Sequence, residues 1–255
     1  MHAADIVEPA AVVIAAGVCG RMAAATAVAT LPAFPGVSIR GRIALALALT
    51  AVALPAAMRE SAEVSPWPLV VAGECIVGGV IGMAIAMVVG AAGWAGMLLG
   101  SASGLSWADG FDPTGEEQGS AGIGRLAWWV GAAAFLAAGG QMAVVAGLLE
   151  SFEAIPIGTV LVGGGFPERL VAIATTAPTV ALSLALTVAL PALAAVVAFH
   201  LATAICLRTV PFSPGAGLLQ GLAAIVLLAA LGFGLDAFAG TSGTLMHAAL
   251  EKLLG

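Results

Sequence analysis

Residues 68–100 read PLVVAGECIVGGVIGMAIAMVVGAAGWAGMLLG, and Glu74 is their only charged residue. A helix crossing a bilayer needs about 20 mostly apolar residues for roughly 30 Å of hydrocarbon. This run exceeds that length, so it reads as a membrane span with residues to spare. Working outward, five more runs come near or beyond the same length: Ala10 to Leu31, Ile43 to Met58, Leu126 to Leu149, Leu170 to Leu207, and Leu218 to Leu235. The expected fold is an all-α, polytopic integral membrane protein with about six hydrophobic helical segments, several of them long, bent or hairpin-like. One membrane-embedded domain covers 1–255.

Composition excludes the soluble alternative. The 255-residue chain is 61% hydrophobic and 9% charged, against about 25% charged for soluble domains. So few charges would leave large apolar patches facing water, which soluble monomers avoid. Most acids behind the formal charge of -6 sit in short connecting stretches, where they read as solvated loops. The eight Lys and Arg are scattered, so no basic face for nucleic acid is expected. Met1 to Pro9 has no basic residue and lacks the positive region of a cleavable signal, so the first apolar run is expected to stay on the mature protein. Cys19, Cys75 and Cys206 have no metal or redox spacing and read as small hydrophobes.

Segment lengths carry information because they fit a bilayer poorly. The second is short; the third and fifth would each be on the order of 50 Å long at about 1.5 Å per residue. Each long one must tilt, bend, fold back or extend beyond the lipid. Pro178 and Pro191 predict kinks or a hairpin turn in the fifth, and glycines offer the same freedom to the third.

Arg21 lies near the middle of the first segment, where it costs roughly 2.5–3.5 kcal/mol to insert. Six Val, Ile and Leu neighbours contribute about 0.3–0.6 kcal/mol each, so the helix roughly breaks even. Such a span needs protein neighbours for the guanidinium, in an assembly or a tightly packed bundle. The basic residues encode little orientation, since Arg40, Arg42, Arg125 and Arg208 fall on one set of alternating loops and Arg59, Arg169 and Lys252 on the other.

Four features invite chemistry. Small residues recur every four positions at Gly78, Gly82, Ala86 and Gly90, and again at Ala92, Gly96, Gly100 and Gly104, ridges that let another backbone approach. Ser101-Ala102-Ser103-Gly104 is one residue from an intramembrane serine protease signature. His200 is its candidate base, provided the two side chains meet. Glu74 is a proton-relay candidate, or else pairs helices or snorkels. Glu150, Ser151, Phe152 and Glu153 before Ile155-Pro156-Ile157-Gly158 read as a helix stop and a turn. His2 and His247 suggest no metal site, and no cofactor is expected; no P-loop is present.

Four blocks carry a resemblance. The first joins Arg21 to LPAFPGVSIRGRIALALAL, Leu31 to Leu49, with its Arg40 and Arg42. The second is GECIVGGVIGMAIAMVVGAAGWAGMLLGSASGLSWADGFDP, Gly73 to Pro113, with Glu74, the glycine-rich helix and Asp112-Pro113. The third is FLAAGGQMAVVAGLLESFEAIPIG, Phe135 to Gly158; the fourth is LPALAAVVAFHLATAICLRTVP, Leu190 to Pro211, with Pro191, Arg208 and Pro211. In this order the chain resembles the FliR family of flagellar export proteins and its injectisome relatives, from about Gly17 to about Leu231. The departure follows Pro211, where the family has an Asn-containing polar stretch and a later Lys; this chain has Phe212-Ser213-Pro214-Gly215 and then Gln220.

The resemblance implies a non-enzymatic conduit subunit of a protein-export gate in the bacterial inner membrane, at a flagellar or injectisome basal body. FliP-like and FliQ-like subunits are the implied partners, with FlhB-like and FlhA-like components nearby and unfolded proteins as cargo. It also implies helices arranged as bent hairpins inside the assembly. The loop of residues 101–124 becomes a candidate pore plug, with Gly104, Asp109, Asp112 and Pro113 suited to a compact movable loop. The rival reading is a secondary transporter with Glu74 or Arg21 at the cargo site; its usual sign, an internal repeat, is not evident.

Overall fold

The computed structural model describes residues 9–33, 37–58, 67–105, 122–160, 166–209 and 215–254. Among these, every regular element is an α-helix: α1 (Pro9–Ala33), α2 (Ile39–Ala57), α3 (Trp67–Ala102), α4 (Gly122–Ala137), α5 (Gly140–Ala154), α6 (Glu168–Thr209) and α7 (Ala216–Leu254). Five of them, α1, α2, α3, α6 and α7, contain stretches long and apolar enough to cross a membrane, and α4 with α5 makes a sixth if the pair is counted as one broken span. The protein is a polytopic, all-helical membrane protein.

Its helices are built on stripes. In α1 the buried positions Ile14, Val18, Arg21, Met22 and Ala25 follow helical spacing. In α3 they are Val70, Glu74, Val77, Ile81, Ala84 and Val88, alternating four and three residues apart. α2 differs: it buries only alanines, Ala46, Ala53 and Ala57, and turns Ile39, Ile43, Leu47 and Val52 outward. In water that pattern would be inverted; in a bilayer large apolar side chains are free to face the solvent.

Two compact units form. One holds Met1–Val88, Gly139–Val180 and Ala248–Gly255, and the other Val89–Ala138 and Ala181–His247. In the first unit α2 packs on α1 and more lightly on α5, and Ala84, Ile173 and Ala177 form a core patch against Val80, Met87 and Leu253. Leu254 lies on Gly147, its Cβ 2.5 Å from where a side chain there would begin, and its carbonyl accepts Nη2 of Arg169 at 3.0 Å. In the second unit Gly243 abuts the Ala134 carbonyl at 2.6 Å by the same measure.

Several boundaries differ from the sequence reading: the fourth segment starts at Gly122 instead of Leu126 and runs to Ala154 instead of Leu149, and four further differences have a visible cause. α2 starts at Ile39, four residues earlier, because Ser38 is extended and its Oγ accepts the Gly41 N–H at 3.3 Å, an N-cap. The fourth segment is broken at Ala138–Gly139, where Gly139 has φ +78°, a value that costs other residues energy. The fifth has no hairpin turn: α6 stays helical through Pro178 and Pro191, both exposed, since a turn at membrane depth would strand several backbone groups whereas a proline frees one carbonyl. The last segment continues from Leu235 to Leu254. Its hydroxyls stay satisfied inside the helix, with Ser242 Oγ donating to the Phe238 carbonyl at 2.6 Å and Thr244 Oγ1 to the Gly240 carbonyl at 2.8 Å.

Candidate functional site

Arg21 and Glu74 occupy core positions on their stripes, and both are fully buried. Close approach of α1 and α3 brings them together. A Cβ on Gly78 would overlap the Arg21 carbonyl oxygen, and one on Gly82 would lie 2.5 Å from the Ala25 carbonyl oxygen. Glycine at these two points sets the helix separation.

At that separation the side chains meet. Arg21 Nε donates to Glu74 Oε2 at 2.6 Å, and Nη2 lies 2.6 Å from the same oxygen. The remaining guanidinium donors go to the end of α5. Nη1 donates to the Ser151 carbonyl at 2.8 Å and lies 3.2 Å from Ser151 Oγ, while Nη2 donates to the Ile155 carbonyl at 2.8 Å. The Phe152 ring stacks 4.2 Å from the guanidinium carbon, a cation–π contact that strengthens when water is excluded.

The local sequence explains why α5 ends there. A residue before proline is pushed out of the helical region, and Ile155 takes φ -134°, ψ 85° ahead of Pro156. Thr159 N–H then closes a turn onto the Pro156 carbonyl at 3.3 Å, with Gly158 at φ +84° in its third position, where glycine is favoured. This turn aims the Gly158 N–H at Glu74 Oε1, 3.1 Å away. Arg21 thus supplies a cation to the carbonyl end of a helix, and Glu74 neutralises it while ordering the following turn. Every nitrogen of the guanidinium and both carboxylate oxygens are bonded within the chain.

A sequence model of the family described as bacterial export proteins, family 1, matches residues 12–249. The chain belongs to that family. No curated protein matches it. In this export-family protein the four blocks quoted from the sequence, about Gly17 to about Leu231, lie inside the matched span. The family is a component of the protein-export apparatus, and with the apolar helices this gives a membrane protein of protein export.

The other candidates take no part in the hydrogen bonds of the pair. Arg40 and Arg42 fall in the first turn of α2, Arg42 Nε donating to the Val37 carbonyl at 3.2 Å. Gly96 meets α4, with the Ala127 Cβ 2.6 Å from a side chain added there, whereas Gly90 has open space around it. Gly100 is buried in α3. Pro191 and Arg208 are exposed on α6, Arg208 in its last turn. Gly104 has φ +76° just past α3, beside the Gln220 side chain. Asp109, Asp112, Pro113 and Pro211 lie outside the described residues.

The protease geometry is not met. Ser103 Oγ donates to the Gly100 carbonyl at 3.1 Å and is buried, while His200 Nε2 lies 3.2 Å from the Ala102 carbonyl oxygen. A nucleophile must give its proton to the base; here each side chain is engaged by a backbone carbonyl instead. Among the described residues no group of three or more His, Cys, Asp or Glu is placed to hold a metal.

What the sequence reading missed is the third party to the ion pair. Ser151, Phe152 and Ile155-Pro156-Ile157-Gly158 read as a helix stop and turn, yet the Ser151 and Ile155 carbonyls, the Phe152 ring and the Gly158 N–H form half of the polar cluster. The available signal was the sign of the charges: a cation and an anion, each isolated in an apolar helix, need partners in the same hydrocarbon.

Proposed function

We propose that this protein is a conduit subunit of a flagellar or type III secretion export gate, assembling with FliP-like and FliQ-like subunits to pass unfolded proteins across the bacterial inner membrane at the basal body. The observation that carries this reading is the match to the export family across residues 12–249. FlhB-like and FlhA-like components are the proposed neighbours. The role is structural, with energy and any chemistry supplied by other components.

Two features of the fold support it. α3, α6 and α7 are longer than a bilayer requires. α2 and α7 also carry wide apolar faces, Ile39, Leu47 and Val52 on one and Leu218, Ile225 and Phe233 on the other, suited to lipid or to apolar subunits. The pair does not favour a transporter, since Arg21 and Glu74 are both fully buried and bonded within the chain.

The test is purification of the tagged protein from its native host in mild detergent, followed by mass spectrometry of what accompanies it and the native mass of the complex. Recovery in a large complex with FliP-like and FliQ-like proteins is expected. A stable monomer or homodimer without them would replace this reading with the transporter.

A further inference from the structure

We infer that α1 is not an autonomous membrane span: it is held across the bilayer by Glu74 of α3, which neutralises Arg21 and lets the guanidinium reach the end of α5.

Two independent observations meet here. The first is energetic and belongs to α1 alone, where the cost of Arg21 roughly cancels the favourable transfer of its apolar residues. A helix at balance spends about half its time, or about half its copies, out of the membrane. The second is geometric. Arg21 is 0% exposed, Nε and Nη2 are both 2.6 Å from Glu74 Oε2, and the other bonds go to carbonyls of Ser151 and Ile155. Carbonyls can accept hydrogen bonds but cannot cancel a full charge, so Glu74 is the group that removes the penalty.

The dependence has a direction. α3 is 36 residues long, far more than about 20 residues need be, and holds its place with or without Arg21. α1 has no such reserve. Removing Glu74 therefore displaces α1, whereas removing Arg21 displaces neither helix and makes α1 independent of Glu74. The inference needs a membrane location but does not depend on which complex the protein joins.

Side-specific labelling of the full-length chain tests it. Single cysteines are placed at Ala11 or Ser38 in a background with the three native cysteines replaced, and a membrane-impermeant maleimide is applied from each side. In the wild-type sequence the two positions label from opposite sides. In Glu74→Gln the fraction doing so is expected to fall towards about half, the balance expected for α1 alone. Arg21→Met, and the double variant Arg21→Met with Glu74→Gln, are expected to label as wild type. Unchanged labelling in Glu74→Gln would overturn the inference. So would a Glu74→Gln defect that persists in the Arg21→Met background, because that would place the fault in α3 itself. Neither result bears on whether FliP-like partners co-purify.

Discussion

Gly78 and Gly79 are neighbours in sequence with opposite constraints. A Cβ at Gly78 would run into the Arg21 carbonyl oxygen, while at Gly79 nothing lies within 4 Å. Gly78→Val is expected to destabilise the protein by about 1–3 kcal/mol, the usual range for overpacking, and by more if the ion pair is pulled apart. Gly79→Ala should be neutral or stabilising by up to about 1 kcal/mol. Thermal unfolding in detergent compares them directly, and equal midpoints for the two variants would contradict the close α1–α3 contact. Some of this was legible from residues alone. The four-residue spacing marked Gly78, Gly82 and Gly90 alike, but spacing does not say which face of α3 meets a helix and which meets open space. Opposite charges at Arg21 and Glu74 could have been paired on sign, whereas the Ser151 and Ile155 carbonyls could not, since every residue carries one.

At the scale of elements, α7 shows the same division between inward and outward positions. Phe238, Ser242, Met246, Leu250 and Leu254 recur every four residues and are buried, whereas Phe233 is 96% exposed. Leu254→Ala deletes the buried side-chain atoms beyond Cβ, Cγ and Cδ1 beside Gly147 among them, and should cost about 2–5 kcal/mol. Phe233→Ala should change the stability of the isolated chain by less than about 0.5 kcal/mol. Denaturant titration of purified protein measures both, and a large loss in Phe233→Ala would mean that its ring packs against protein. Hydropathy located six apolar segments because lipid selects on composition. It could not show that the segment from Leu126 to Leu149 breaks at Gly139, nor that the last one runs on past Asp236. Those outcomes depend on a positive φ and on hydroxyls bonded to their own helix, which hydropathy does not register.

For the whole molecule, the proposed export role includes a pore plug in the stretch 101–124, of which 101–102 belong to α3 and 122–124 to α4, while 106–121 lie outside the described residues. Deleting residues 105–122 should make the closed assembly conduct ions, measurable as conductance of the reconstituted complex; unchanged conductance would remove the plug from the proposal. The helix lengths lead elsewhere. α3, α6 and α7 measure roughly 54, 63 and 58 Å along their axes at about 1.5 Å per residue, about twice the hydrocarbon thickness. In the proposed assembly other subunits cover the apolar length that tilting or bending does not keep within the bilayer, so a copy made in excess leaves part of its apolar surface uncovered. Stoichiometry then becomes a matter of survival for the chain: pulse-chase labelling should show orphan copies degraded within minutes and assembled copies persisting. Equal half-lives would mean that single copies shelter their full helix length unaided.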